Sequence, residues 1–433
     1  MSPEMIGVLG FVVLLSLIFL RVPVGIAMLG VGLAGSAVLN SPNAALNIMT
    51  GQVFSISTLY SLSVLPLFIL MGNIASQAGL SRDLYNAAYA LVGHLKGGLA
   101  SATIVGCAGF AALSGSSIAS AVTMGQVAYP EMKRRAYGDR LSTGAIAAGG
   151  TLGILLPPST GFVLYAILTE ESIGRLFMAG VLPGLLLTTL FVGAVTLVVH
   201  FNPAAGGQRL QDEGGHRRVA LMGALPVLSI IVITIGGIYL GIFTPVEAAG
   251  VGAFLAFVMA IMRRRLTIKG FVDAVRGTME TTGLCFLILI GAMVFSPFVA
   301  LSGLPTALSG VILGYSSSPY VVLALILVLY LFLGMIIEGL SLMVITLPIV
   351  YPVIIGLGFD PIWFGVIMVL VLEMGLISPP VGVNCFVVKS VAPDVPLSDI
   401  FRGIMPFWLA MIFCIILLVA VPGIALMLPN AMF

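Results

Sequence analysis

The chain has 433 residues, of which 60% are hydrophobic and only 8% charged, with a formal net charge of +2 at pH 7. A soluble domain carries about a quarter charged residues, so a water-dissolved core is excluded and the lipid bilayer becomes the solvent. At roughly 20 residues per span the chain has room for about a dozen membrane elements, and without a basic patch interleaved with aromatics nucleic acid is excluded as a partner.

The first apolar run, Ile6 to Leu20, has no basic region before it, and Arg21 stands where a small-residue cleavage site would be. It reads as a retained membrane segment and not as a cleavable signal. Asn73 and Asn86 are lone amides, expected to hydrogen-bond between helices. Leu80–Leu95 is amphipathic and should lie along the interface, either as an arm linking a moving part to a static frame or as an in-plane anchor. Residues 99–132 have basic residues at both ends, His94 and Lys96 before and Lys133-Arg134-Arg135 after. A polar tip, Ser114-Gly115-Ser116-Ser117, interrupts them, and neither flank is long enough for a full span. That combination predicts a re-entrant hairpin opening to the cytoplasm. Next comes Gly153-Ile154-Leu155-Leu156-Pro157-Pro158. Proline lacks an N–H and clashes with the carbonyl four residues back, so this string should unwind the helix over Gly150–Pro157.

Spans are expected around 175–200, 219–242, 246–262 and 281–300, with a polar cytoplasmic linker at 202–218 containing Arg209, Arg217 and Arg218. Glu247 follows Thr244-Pro245 at a helix start, where an acid suits the dipole. Leu266–Glu280 is a second amphipathic stretch, and 319–352 a second hairpin with its tip at Glu338–Ser341. The flanks of that hairpin, Ser316–Ser318 and Gly356–Asp360, carry no Lys or Arg, so it should open on the external side. Gly375-Leu376-Ile377-Ser378-Pro379-Pro380 then repeats the first break. Cys107, Cys285, Cys385 and Cys414 lie apart in apolar segments and read as small buried hydrophobes. His94, His200 and His216 fall near membrane boundaries and need no special role.

Superposing Pro157 on Pro379 shifts the chain by 222 residues, and other punctuation falls into line. Pro23 meets Pro245, Tyr129-Pro130 meets Tyr351-Pro352, and Gly180…Pro183 meets Gly403…Pro406 one residue on. The chain therefore reads as two repeats, 1–201 and 219–433. With the basic clusters inside, the span parity inverts one repeat relative to the other. The expected fold class is an all-α polytopic membrane protein built from two inverted repeats with re-entrant hairpins and discontinuous helices.

Irregular backbone at membrane depth survives only where protein, ions or a polar cavity satisfies it, and paired breaks mark a transporter's midplane site. Ser114, Gly115, Ser116 and Ser117 face Gly150, Gly153 and Pro157 as one candidate cation site. Gly339 and Ser341 with Glu373, Gly375 and Pro379 form the companion. About five or six neutral oxygens suit a hard monovalent cation such as Na⁺, and Li⁺ fits the same donors. The plainer alternative is that Gly/Ser tips only let helices pack closely. The half-helices after the breaks, beginning at Ser159-Thr160 and at Val381 to Asn384, offer unpaired N–H groups for a small carboxylate substrate. Lys389 reads as a cytoplasmic end-anchor more than a substrate ligand. Glu373 is assigned a structural or electrostatic role and Glu338 is left open between a functional ion and a cap. No Ser-His, Asp-Asp or metal constellation supports an enzyme, and nothing resembles a channel's filter loop.

Gly236-Gly237-Ile238-Tyr239-Leu240-Gly241-Ile242-Phe243-Thr244-Pro245-Val246-Glu247-Ala248-Ala249 resembles the signature of the large membrane subunit of tripartite ATP-independent periplasmic (TRAP) transporters. Leu152–Pro158 and Gly375–Asn384 resemble the family's first-half and second-half motifs. Ser378 stands where threonine is expected, which keeps the hydroxyl. The resemblance implies an elevator-type carrier in the bacterial inner membrane, with a small four-helix membrane subunit and a periplasmic substrate-binding protein as partners. It implies at least two Na⁺ ions driving uptake of organic acids such as dicarboxylates, keto acids or sialic acid, with no organic cofactor. The family's cation sites fall on the two residue sets named above. No small subunit is expected to be fused to this chain. A standalone sodium–dicarboxylate symporter is the alternative, with the same hairpin logic and no binding protein.

Overall fold

A computed structural model of the chain describes residues 2–207, 216–307, 310 and 318–432. The linker residues 208–215 and the hairpin flank 316–317 lie outside the described residues, as does the side chain of His216. Among the described residues there is helix and no strand. Eight helices there are long and apolar enough to cross a membrane, and shorter apolar helices accompany them. This is what hydrocarbon dictates, because a helix pairs its own backbone groups and an open sheet edge cannot.

Two parts can be distinguished by packing. In one, helix Val24–Leu39 lies along Ile268–Leu301. Gly25, Gly32 and Gly35 bring the two backbones together: an added Cβ would stand 2.4 Å from Leu287 O, 2.8 Å from Val294 O and 2.3 Å from the Phe298 ring. Small residues repeated along one face do this in lipid, where apolar burial gives helices little reason to associate. Helix Val64–Gln77 joins them through Asn73, whose Nδ2 donates to Thr278 Oγ1 at 3.0 Å. The expected interhelical amide is thus found at Asn73. Asn86 is exposed instead, because it lies on the outer face of the amphipathic helix.

In the other part, Asp139–Leu155 and Pro361–Leu376 are buried almost throughout and are surrounded by hairpins and by helices Ile173–Phe201 and Leu397–Ala420. Gly144 and Gly403 meet backbone to backbone, with an added Cβ on Gly144 2.2 Å from Gly403 O. The first hairpin is Gly98–Ser114 with Ser117–Arg134, and the second is Pro319–Gly334 with Gly339–Gly356.

Their open ends lie at opposite ends of the molecule. Lys133 pairs with Asp394 at 2.6 Å, Arg140 with Asp399, and Lys96 Nζ with His200 Nδ1 at 3.1 Å, collecting one basic end beside the first hairpin. The second hairpin closes against Glu171, which accepts from Tyr351 Oη at 3.2 Å, and lies beside Asp360, the cap of helix Pro361–Leu376. The discontinuous helices run in opposite senses between these two ends, so the all-α architecture has the inverted hairpins and breaks expected of its class.

Three details differ from the sequence reading. The amphipathic stretch 80–95 forms its own helix, Leu80–Val92, whereas 266–280 does not lie apart. It continues into the single 34-residue helix Ile268–Leu301, about 51 Å long at 1.5 Å per residue and therefore longer than the roughly 30 Å hydrocarbon layer. No Gly-Pro pair interrupts it before Pro297, so nothing forces a bend at 280. The breaks are also shorter than expected. Gly150 and Gly153 are still helical, as are Glu373 and Gly375, and only 156–159 and 377–382 leave the helix. The reason is that the first proline of each pair disfavours helical backbone mainly at the residue just before it. Lys389 is a third case, its Nζ donating to the carbonyls of Pro393 and Val395 and so fastening a loop.

Candidate functional site

The first hairpin turns in two residues. Gly115 ends one helix with φ +59° and Ser116 opens the next, its Oγ accepting from Ala119 N–H. This turn is pressed onto the first break. A Cβ on Gly115 would stand 2.6 Å from Pro158 O; one on Gly153 would stand 2.4 Å from Ser116 O; and one on Gly150 would stand 2.8 Å from the Ala121 Cβ and 3.1 Å from Ser117 O. Left-handed backbone and close approach together leave only glycine at position 115. Thr160, just past the break, returns the contact by donating Oγ1–H to Gly115 O at 2.9 Å. Ser114 Oγ and Ser120 Oγ are 2.9 Å apart. Ser159 caps the second half-helix, accepting from Phe162 N–H. The whole break, Leu155 to Thr160, is buried.

Hydroxyl and carbonyl oxygens therefore crowd glycine backbone where a side chain would displace them; Ser114, Gly115, Ser116, Ser117, Gly150, Gly153 and Pro157 are themselves uncharged, and the carboxylate that reaches them is that of Glu373. Such a donor set fits Na⁺ and is poorly matched to divalent transition metals, which favour imidazole and thiolate. Replacing Thr160 by valine removes one hydrogen bond while keeping the shape. At about 1 kcal/mol for such a bond, any Na⁺ bound at this turn is expected to be held about fivefold less tightly in a direct binding measurement. Na⁺ binding of equal strength in that variant and the parent would detach Thr160 from any ion site.

The second hairpin is built differently. Glu338 caps helix Gly339–Gly356, its Oε1 accepting from Leu340 N–H at 3.1 Å and its Oε2 from Ser341 N–H at 2.9 Å and Ser341 Oγ–H at 3.0 Å. That places Glu338 as a cap, and it also occupies Ser341. The facing helix is met at Gly375, where an added Cβ would stand 2.8 Å from the Gly334 backbone, and at Leu372 and Leu376, which border Gly339. Ser378 donates to Met374 O at 2.6 Å and accepts from Trp408 Nε1–H at 2.9 Å. Unlike the first break, this one emerges at the surface. Pro379, Pro380 and Val381 are exposed, with Val381 at 37%. Asn384, one turn on, is 0% exposed, and neither its Oδ1 nor its Nδ2 has a hydrogen-bond partner. A buried amide without partners costs about 1–3 kcal/mol, and this one lies three residues beyond the exposed Val381.

The two clusters are joined. Ser117 Oγ–H, at the first tip, donates to Glu373 Oε2 beside the second break at 2.6 Å, across 256 residues of sequence. Alongside, Ile154, Gly339, Leu340, Met343, Val369, Leu372 and Glu373 line a void of about 10 Å³, room for about one water-sized particle. Sequence reasoning paired each tip with its own break and missed this cross-link. It also missed Trp408 on Ser378, although an indole N–H in apolar surroundings requires an acceptor.

The sequence matches the family model described as "Tripartite ATP-independent periplasmic transporter, DctM component" over residues 11–424. It is 36% identical to the C4-dicarboxylate TRAP transporter large permease protein DctM of Pseudomonas aeruginosa, covering 93% of both chains. It is also 36% identical to the sialic acid TRAP transporter large permease protein SiaM of Vibrio cholerae, covering 96% of both. An isethionate TRAP permease, DctMQ of Oleidesulfovibrio alaskensis, is 34% identical over 94% of this chain and 64% of its own length. Among solved structures, the YdaH transporter of Alcanivorax borkumensis shares the fold with a TM-score of 0.65 and 16% identity, covering 89% of both chains. With buried discontinuous helices, a hairpin packed against each of them and a family match along almost its whole length, the chain is a multi-pass membrane protein that belongs to the DctM, or large permease, family of TRAP transporters.

Proposed function

We propose that this permease carries small organic acids across the bacterial inner membrane by Na⁺-coupled alternating access of the elevator type. It would receive substrate from a periplasmic binding protein and work beside a small membrane subunit. The observation that carries the reading is the seating of the first hairpin tip on its helix break, Gly115 on Pro158 and Thr160, with the second hairpin meeting the other discontinuous helix just before its break, Gly334 on Gly375. The relatives named for C4-dicarboxylates, sialic acid and isethionate suggest a small anion as cargo.

In this mechanism the halves 1–201 and 219–433 act as inverted repeats joined by 202–218. Na⁺ enters as co-transported substrate at each tip. Crowded neutral oxygens hold it at the first tip, the Glu338 and Glu373 carboxylates add charge at the second, and each tip is thereby held closed on the helix it faces. The carboxylate lies by the exposed second break, where Asn384 has two unused polar atoms and the half-helix starting at Val383 presents N–H groups, whereas Thr160 at the buried first break is engaged by Gly115 O. A bare anion or a bare carbonyl cluster is costly to move through hydrocarbon, so the loaded, charge-compensated unit is the one that crosses.

Uptake of labelled C4-dicarboxylate and sialic acid into proteoliposomes, with the small subunit and binding protein supplied, tests this. Transport should require both an inward Na⁺ gradient and the binding protein. Transport without the binding protein would indicate a standalone symporter, and uptake indifferent to Na⁺ would remove the coupling ion. Ser114→Ala, Gly115→Leu and Pro379→Ala should each weaken Na⁺ dependence. Wild-type Na⁺ affinity in all three would overturn the site assignment.

A further inference from the structure

A cavity of about 390 Å³ lies at the basic end, away from the hairpins and breaks. Asp83 and Asn86 of helix Leu80–Val92 form one wall, and Val219, Ala220 and Gly223 of helix His216–Tyr239 a second. Arg263 and Arg265, at the end of helix Pro245–Met262, complete it. Arg263 is fixed, donating through Nη1 to Asp83 and through Nη2 to Gly223 O at 2.9 Å. Arg265 reaches the same Asp83 carboxylate through Nη1 at 2.8 Å and is 44% exposed along its side chain.

Two guanidiniums against one carboxylate leave a net positive charge. Each guanidinium has five N–H donors, far more than Asp83 and Gly223 use. Exposed Arg217, Arg218 and Arg264 stand beside the cavity-lining residues in the chain and add three further charges. The neighbouring surface is apolar: Val219 is 71% exposed, Met222 65% and Met262 73%. A free oxyanion would use only the arginines. A phosphate carrying acyl chains would use both, with its headgroup in the cavity and its chains on the adjoining band.

We propose that this cavity binds the phosphate of an anionic phospholipid headgroup, at the junction between the amphipathic helix leading into the first hairpin and the helices of the frame. Basic pockets between helices on the cytoplasmic side favour such headgroups, by about 1 kcal/mol for each Lys or Arg near the surface.

The test is native mass spectrometry and thermal unfolding of the purified permease in detergent, with added phosphatidylglycerol, phosphatidylethanolamine or inorganic phosphate. Phosphatidylglycerol should be retained, and should raise the unfolding temperature, more than phosphatidylethanolamine. Arg265→Gln should lower that retention about fivefold. Ala220→Trp, which fills the cavity and keeps every charge, should abolish the preference, so the test does not hang on one arginine variant folding. Equal retention of the two lipids, or wild-type retention in both variants, overturns the proposal. So does inorganic phosphate matching phosphatidylglycerol, which would assign the cavity to a soluble anion. Loss of retention on co-expression with a separate small membrane subunit would assign this face to protein and also overturn it.

Discussion

Gly153→Ala is expected to abolish Na⁺-dependent uptake while leaving a folded protein. An added Cβ at this position would stand 2.4 Å from Ser116 O, 2.6 Å from Ser116 C and 2.7 Å from Ser117 N, all backbone. None of these atoms can rotate away, so the hairpin tip must retreat by about 1 Å to reach ordinary contact. Misplacement on that scale costs about 100-fold wherever several groups must converge on one small ligand. Helix propensity pushes the other way: alanine stabilises a helix interior by about 1 kcal/mol relative to glycine. A loss of transport therefore reports the tip and not the helix. Gly193→Ala is the control, since nothing lies within 4 Å of an added Cβ there, and it should transport normally. Proteoliposome uptake checked against the thermal unfolding of each variant decides the matter. Wild-type Na⁺ dependence in Gly153→Ala would mean the tip need not seat on the break.

The second large effect is expected at Glu373. Its side chain is 2% exposed and accepts from Ser117 Oγ–H at 2.6 Å. Glu373→Ala removes the acceptor, leaves a buried hydroxyl unpaired and opens space beside the 10 Å³ void. Each of these is destabilising, at about 1–3 kcal/mol for the unpaired group alone. Transport should fall to near background. Glu373→Gln keeps an oxygen able to accept from Ser117 and should retain the fold. If the contact links the two clusters, Ser117→Ala and Glu373→Ala will not add. The double variant should be less affected than the sum by about 1–2 kcal/mol, read from Na⁺ affinity or unfolding. Uptake in Ser117→Ala should also lose steepness in its dependence on Na⁺ concentration. Strict additivity with an unchanged Na⁺ curve would show the two clusters to be independent.

Gly153 could be singled out because it precedes a proline pair that recurs 222 residues later. The atom it faces, Ser116 O, could not be. Glu338 and Glu373 looked alike in sequence, both acids in apolar surroundings. Folding separates them: Glu338 closes on its own helix start, while Glu373 reaches the opposite hairpin. Likewise 80–95 and 266–280 share an amphipathic pattern, yet one stands as a separate helix and the other merges into a longer one. A pattern of apolar faces records which side is buried. It does not record whether the backbone bends before the next segment.

The sequence alone determined whatever depends on backbone chemistry and local order: the membrane as solvent, the helices it imposes, the twin breaks at Pro157 and Pro379, and the polar tips. Prolines remove the same N–H in any environment, and apolar runs of a given length meet the same bilayer. Only the tertiary structure decided which oxygen meets which glycine, that Ser117 crosses to Glu373, and that the first break is sealed while Pro379 to Val381 lie open. Those contacts depend on the rotation and depth of helices packed through small residues. Glycine contacts so tight that an added Cβ would stand 2.4–2.8 Å from its neighbours are set by a fit among several helices at once, and no short stretch of chain contains that information.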